Sequence, residues 1–236
     1  MCRILAIDTS TVAASVAILE DDRILGEEYT AYKLKHSEKL LPMIKHLLED
    51  VRLTIDDIDY FAVGNGPGSF TGLRIAAATV KAFSQTKNKP IISVSSLEAC
   101  ANNVKGLNDV IFVIFDAQRN DTYFNMFIEK DSKLSAKYED GIKNIEEVIS
   151  KAEEFDRVLF VGDGILKYKD KIKEKLKDKA IFATTYNYLP KASGVAIVAK
   201  EHLKENKNIY RYDNFLPNYI RPSAAEEQRL EKNKRV

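Results

Sequence analysis

Two short stretches of this sequence combine residue types suited to phosphate and divalent-cation chemistry. The first is Gly64-Asn65-Gly66-Pro67-Gly68-Ser69-Phe70-Thr71-Gly72, set between an apolar run and a helical pattern. Glycines let a backbone approach a ligand closely, and a helix start offers free N–H groups to an anion. Gly66, Gly68, Ser69 and Gly72 are therefore candidate phosphate contacts. The run lacks the Lys-Ser/Thr pair of a P-loop and the spacing of a dinucleotide fingerprint, so a tight structural turn stands as the alternative. The second stretch is Asp8-Thr9-Ser10. A carboxylate at the end of an apolar run could hold hydrated magnesium with two hydroxyls beside it, or the three side chains could close an Asx or Ser/Thr turn. Asp116 repeats that setting, with Arg119 nearby as a phosphate partner or a surface charge. Gly162-Asp163-Gly164 could pack beneath an adenine ring or simply end a strand.

Other chemistries are poorly supplied. The histidines are His36, His46 and His202, and the first two flank a helical pattern at a spacing that does not stack them on one face. Cys2 and Cys100 are isolated, so neither a zinc set nor a disulfide framework is legible. No motif singles out a Ser-His-Asp arrangement. Lys+Arg (36) nearly cancels Asp+Glu (35), which argues against an independent grip on nucleic acid. Alternate lysines between 167 and 179 are diluted by Asp170, Glu174 and Asp178 around the apolar Ile172 and Leu176, the pattern of a solvated amphipathic helix.

The elements that must position these residues alternate along a chain of 236 residues, 45% hydrophobic and 30% charged, long enough for two small domains. The first half predicts a strand over Arg3–Asp8 with antiparallel neighbours at 13–19 and Arg23–Thr30. A leucine-rich helix over 40–51 follows, with Ser37 as its N-cap and Pro42 near its start. Then come a strand at Tyr60–Gly64, a helix at 72–87, a strand at Ile91–Val94 and a short helix at 97–103. Polar residues interrupt the pattern at 105–108. The second half predicts strands at 110–115, 122–130 and 157–161. Its helices are at Ile145–Ala152, around Ile165, Tyr168, Ile172 and Leu176, and at 192–203. Leu5-Ala6-Ile7-Asp8 and Val113-Ile114-Phe115-Asp116 share one plan, an apolar strand ending in Asp with a tight return, as a duplication would leave. Such hairpins imply mixed α/β sheets, not purely parallel ones. The expected organisation is two similar domains, 1–104 and 105–222, and a charged tail at 223–236. No run approaches the ~20 apolar residues of a membrane span, and the N-terminal run is short for a leader, so a cytoplasmic chain without membrane contact is expected.

The run Ile4-Leu5-Ala6-Ile7-Asp8-Thr9-Ser10, together with Gly66-Pro67-Gly68-Ser69-Phe70-Thr71-Gly72-Leu73-Arg74, resembles the TsaB family. Further matches are His36-Ser37-Glu38, Val94-Ser95-Ser96-Leu97-Glu98 and Pro217-Asn218-Tyr219-Ile220-Arg221. The similarity spans nearly the whole chain and is densest up to Leu97.

The resemblance implies an actin/hexokinase-like (ASKHA) fold and a place in threonylcarbamoyl transfer to the tRNA adenosine beside the anticodon. The catalytic relative TsaD carries a metal-binding His-x-x-x-His motif after the equivalent strand. Against it, this sequence sets Ser96 and Cys100 where the two histidines would stand. The resemblance thus implies a non-catalytic scaffold and activator of TsaD, with no catalytic residue and no metal of its own. It also implies that no cofactor is required by this chain and that the complex offers a place for ATP or ADP with magnesium. TsaE is a further expected partner, the isolated chain is expected to pair with itself, and tRNA is reached only through the complex. The partner-binding helices are carried over as those containing Leu41, Ile44, Leu48, Ala76, Ala77 and Val80. The enzyme alternative is an actin-like ATPase or small-molecule kinase using Asp8, Asp116 and the glycine loop at 66–72. A glycoprotease-type activity is opposed by the missing histidines.

Overall fold

The computed structural model describes residues 1–32 and 35–221, so the charged tail expected at 223–236 lies outside the described residues. The first half contains β1 (Arg3–Asp8), β2 (Ala14–Glu20), β3 (Arg23–Thr30), α1 (His36–Asp50), β4 (Tyr60–Gly64), α2 (Phe70–Lys87), β5 (Ile91–Val94) and α3 (Ser96–Asn102). The second contains β6 (Val110–Asp116), β7 (Asp121–Lys130), β8 (Lys133–Ala136), β9 (Gly141–Asn144), α4 (Ile145–Ala152), β10 (Val158–Val161), α5 (Gly164–Leu176), β11 (Ala180–Phe182), α6 (Ala192–Lys204) and β12 (Ile209–Tyr210).

Two mixed sheets result, in the orders β12-β5-β4-β1-β2-β3 and β11-β10-β6-β7-β8, with β9 also paired to β7. In each, the leading strand pairs antiparallel with the next strand and parallel with a later one: β1 with β2 and β4, β6 with β7 and β10. The shared plan read from the two Asp-ended strands is therefore a shared topology. The continuous apolar runs follow from cover on both faces. Leu5 and Ile7 face α1 and α2, while Ile4 and Ala6 face α6. Phe112 and Ile114 face α4 and α5, while Ile111, Val113 and Phe115 face α3.

The inner helices are exchanged. α3 follows the first sheet but packs Leu97, Cys100 and Ala101 on the second, and α6 follows the second sheet but packs Ala192, Val195, Ala196 and Ala199 on the first. Small residues make this close approach possible: a Cβ on Gly194 would lie 2.6 Å from the Ala99 carbonyl oxygen. The first half also supplies the capping groups of α6. Ser15 Oγ accepts from the Ala192 N–H at 2.5 Å and Glu27 Oε1 from the Ser193 N–H at 2.8 Å.

Several local expectations shift. α1 begins at His36 with Lys35 at its N-cap and no side-chain cap, so Ser37 lies inside the first turn. Both His36 and His46 are within the helix, and Pro42 sits inside it on the exposed side. α2 begins at Phe70, with Ser69 capping it through the Gly72 N–H at 3.3 Å. Strands β8, β9, β11 and β12 had no legible signal, being short and without a buried apolar alternation. Among the described residues no helix is long and apolar enough to cross a membrane.

Candidate functional site

A cleft of about 520 Å³ opens between the halves, where β1 and β6 end. Its walls include Ser10, Thr11, His36, Gly68, Ser69 and Phe70 from the first half and Asp116, Gln118, Arg119, Tyr123 and Asp163 from the second. Asn218, Tyr219 and Arg221 complete it from the C-terminal segment.

Asp8 lies beneath this cleft, not on its wall. It is 1% exposed, and its Oδ1 accepts from Ser10 N–H at 2.9 Å and Ser10 Oγ at 2.8 Å, while Oδ2 accepts from Ser96 Oγ at 3.1 Å. Burial pushes its carboxyl above the ordinary range, and the Ser10 and Ser96 bonds pull it partly back. A carboxylate so enclosed turns no exposed oxygen toward a magnesium ion in the cleft. Thr9 is likewise buried, its Oγ1 donating to the Gly72 carbonyl at 2.8 Å.

The glycine loop packs on that turn. A Cβ on Gly72 would lie 1.9 Å from Thr9 O, on Gly68 2.2 Å from Ser10 O, and on Gly64 1.9 Å from Asp8 Oδ2. The Ser69 N–H donates to Ser10 O at 2.7 Å. Glycine is required here for approach to the β1–β2 turn. Of the loop candidates, Gly68 and Ser69 reach the cleft wall, and Gly66 and Gly72 stand behind it. The second half repeats the device: a Cβ on Gly162 would lie 2.1 Å, and on Gly164 2.9 Å, from the Ile114 carbonyl. Thus Gly162 and Gly164 hold the β10–α5 turn against β6, away from the cleft wall.

Asp116 does face the cleft. Its Oδ1 accepts from Lys167 Nζ at 2.9 Å and from the Gln118 N–H at 3.0 Å, and its own N–H donates to Asp163 Oδ1 at 2.9 Å. Burial, with the Asp116 charge assisting, raises Asp163 to about 6. Because the folded value exceeds the free value of 3.8, the stability from the neutral carboxyl is fully present below pH 3.8. It is lost as pH rises through about 6. Asp163→Asn keeps the acceptor for Asp116 and removes the titration. It is expected to gain on the order of 1–2 kcal/mol over the parent between pH 4 and pH 7, allowing for partial exposure. Urea unfolding at both pH values reads this; an unchanged difference would contradict it.

Sequence reasoning missed the C-terminal wall. Tyr219 packs on Phe70 with ring centroids 4.6 Å apart, and Arg74 sits 4.5 Å over the same ring. Arg221 then crosses to the second half, donating to Ala117 O and pairing with Asp121 at 3.3 Å. The signal was present in Pro217-Asn218-Tyr219-Ile220-Arg221, but its distance from the other cleft residues hid their meeting. The β6–β7 turn it touches holds Gln118, Arg119 and Asn120 at positive φ (64°, 50° and 65°), a conformation that costs non-glycine residues about 1–2 kcal/mol each.

Ser96 and Cys100 are both fully buried. Ser96 Oγ donates to Asp8 and accepts from the Gly66 N–H at 3.2 Å. Cys100 Sγ donates to Tyr188 O at 3.6 Å, and burial pushes its thiol well above the ordinary value. Neither offers a ligand atom to solvent. The carried-over helix residues divide sharply as well. Ile44, Leu48, Ala76, Ala77 and Val80 belong to the first core, whereas Leu41 is 54% exposed. The five core side chains pack within the chain, and Leu41 alone of the six lies open at the surface.

The family model for "TsaD: tRNA N6-adenosine threonylcarbamoyltransferase" matches residues 24–229. The chain is 32% identical to the tRNA threonylcarbamoyladenosine biosynthesis protein TsaB of Bacillus subtilis over 98% of this chain and 99% of that one. The solved structure of YeaZ from Pseudomonas aeruginosa superposes with a TM-score of 0.79 at 26% identity, covering 93% of this chain and all of the other. An inorganic polyphosphate/ATP-glucomannokinase from Arthrobacter matches at a TM-score of 0.51 and 14% identity, covering 87% and 100% of the two chains, which shows the fold alone. The fold is the actin/hexokinase-like one, two similar α/β halves each built on a mixed sheet.

Proposed function

We propose a function that proceeds from family membership: the chain belongs to the TsaB/YeaZ family of tRNA threonylcarbamoyladenosine biosynthesis proteins. Within that pathway we infer a non-catalytic subunit that supports the transferase TsaD. The observation carrying this reading is the state of Ser96 and Cys100. Where the catalytic relative TsaD carries two metal-holding imidazoles, this chain has a hydroxyl locked between Asp8 and Gly66 and a buried, protonated thiol. Neither suits a catalytic metal. Asp8 gives a magnesium nucleotide no exposed oxygen, so no step through such a group is assigned to this chain.

A partner has an accessible surface on the first half. α1 and α2 pack side by side and leave Leu41 and Pro42 exposed on one, Ala78 and Ala82 on the other. Exposed alanines one turn apart let another helix approach closely, and the neighbouring leucine adds apolar area. TsaD is the partner assigned to this face, with TsaE joining the assembly and tRNA held by the complex. Self-pairing of the isolated chain would use the same surface.

Reconstitution tests the proposal. Transfer to tRNA by TsaD and TsaE, supplied with threonylcarbamoyl-adenylate, is expected to fall to background when this chain is omitted. Undiminished transfer without it would remove the proposed role. Adjacent substitutions then test the face. Ala78→Glu is expected to abolish capture of TsaD with an unchanged circular dichroism spectrum. Ala77→Glu buries a charge in the core and is expected to unfold the chain. Full capture by folded Ala78→Glu would place the contact elsewhere.

The ATPase or kinase reading keeps one supporting feature, Asp116 facing a cleft of nucleotide size. Magnesium-ATP added to the purified chain is expected to give no turnover above the Asp116→Asn background. Turnover that this substitution abolishes would favour the enzyme.

A further inference from the structure

On the edge of the first half, remote from the cleft walls, side chains from β3 and α1 converge on one point. His46 Nδ1 is hydrogen-bonded to Glu28 Oε1 and lies 3.8 Å from Asp50 Oδ2. One donor atom from each of the three lies within 4.8 Å of the other two. We propose that Glu28, His46 and Asp50 form a surface site for a divalent transition-metal cation of the zinc class.

The backbone presets the arrangement. Glu28 shares a strand face with Gly26, two residues away. A Cβ on Gly26 would lie 2.8 Å from Leu47 Cδ1 and 3.4 Å from Val51 Cγ1, so the end of α1 rests directly on β3. That contact brings His46 and Asp50, one helical turn apart, beside Glu28. No lysine or arginine among the described residues takes up these carboxylates; the ion pairs of the three are with one another. The neighbouring Glu49 is paired with Lys45 at 3.7 Å.

Tetrahedral zinc with N and O ligands at 2.0–2.2 Å holds its donors roughly 3.3–3.6 Å apart. The Glu28–His46 pair must open to admit the ion, and Asp50 must close from 3.8 Å on the His46 side and from within 4.8 Å on the Glu28 side, movements within reach of flexible side-chain ends. The metal replaces the Nδ1 proton: that proton leaves to solvent, the freed nitrogen lone pair binds the cation, and each carboxylate contributes one oxygen. The fourth position is open to water. An imidazole with two carboxylates suits zinc, nickel or copper better than magnesium or calcium, which prefer all-oxygen sets. A bound ion would clamp α1 to β3. The sequence hid the site because its ligands come from two elements, with Glu28 and His46 18 residues apart.

The test uses the full chain without an affinity tag and stripped with chelator. Calorimetric titration with zinc chloride at pH 7.5 is expected to give one ion per chain at micromolar affinity. His46→Ala is expected to weaken this at least ~10-fold. Cobalt(II) is expected to give visible absorption of a low-coordinate site that His46→Ala and Glu28→Gln both lose, and tenfold magnesium should not displace it. His46 and Asp50 are exposed, so their variants should stay folded by circular dichroism. Equal zinc affinity in folded His46→Ala, or no stoichiometric binding at 100-fold over micromolar concentration, would overturn the site.

Discussion

Gly72→Ala is expected to lower the melting temperature by about 6–12 °C, reversing the usual sign of that change in a helix. Alanine in an ordinary helical interior gains about 1 kcal/mol over glycine. Here the added methyl would lie 1.9 Å from the Thr9 carbonyl oxygen, a backbone atom held at the end of β1. Either α2 must move off the turn, losing the Thr9 Oγ1 bond to Gly72 O at 2.8 Å, or β1 must shift against β4. Overpacking with a lost buried bond costs about 3 kcal/mol, and each kcal/mol moves the melting point of a chain of this size by about 2–4 °C. Gly141→Ala is the control, because its nearest neighbour, Glu139 O, is 3.8 Å away. It should remain within about 0.5 kcal/mol of the parent. A Gly72→Ala protein as stable as the parent would show that the loop is not wedged against the turn.

The second large effect concerns the positions that align with the histidines of the catalytic relative TsaD. Ser96→His combined with Cys100→His is expected to leave the chain unfolded or insoluble, with no gain of metal. Both positions are fully buried, and Ser96 alone joins Asp8 Oδ2 to the Gly66 N–H. Two imidazoles there add volume and polar atoms without partners, a combined cost of roughly 4 kcal/mol or more. Ser96→Ala separates packing from polarity: it should stay folded, lose about 1–3 kcal/mol, and leave TsaD-dependent transfer unchanged. Melting curves, metal content and transfer assays read all three. A folded double variant that binds metal stoichiometrically and modifies tRNA without TsaD would end the non-catalytic reading.

The parts of the fold legible in the sequence were those whose partners are close in the chain. Ile4 to Ile7 announces a strand covered on both faces, and Asp8 announces a turn. The two Asp-ended strands foretold matching sheets. Asp8 could not be assigned between magnesium and turn, because Ser96, the residue that encloses it, lies 88 positions away. The glycines said that a close approach was needed but not toward what. In the structure they approach the carbonyls of Thr9, Ser10 and Ile114, atoms that the loop's own sequence does not name. Apolar spacing on α1 and α2 marked Ile44, Leu48, Ala76, Ala77 and Val80 as wanting cover without distinguishing a core from a partner. The core has them, while Ala78 and Ala82, small residues of the same helix that also permit close backbone approach, lie exposed, a division that helical spacing alone does not make.

The exchange of α3 and α6 has a consequence for the chain as it leaves the ribosome. The face of the first sheet that carries Ile4, Ala6, Leu19, Ala62, Ile92 and Val94 is covered by α6, whose first residue, Ala192, comes long after β5 ends at Val94. At a synthesis rate of about 5–20 residues per second, that greasy surface waits roughly 5–20 s for its cover. A nascent chain halted before Ala192 should therefore be held by chaperones, and one halted well past Lys204 should be released. No single cut between the halves can yield two self-sufficient fragments.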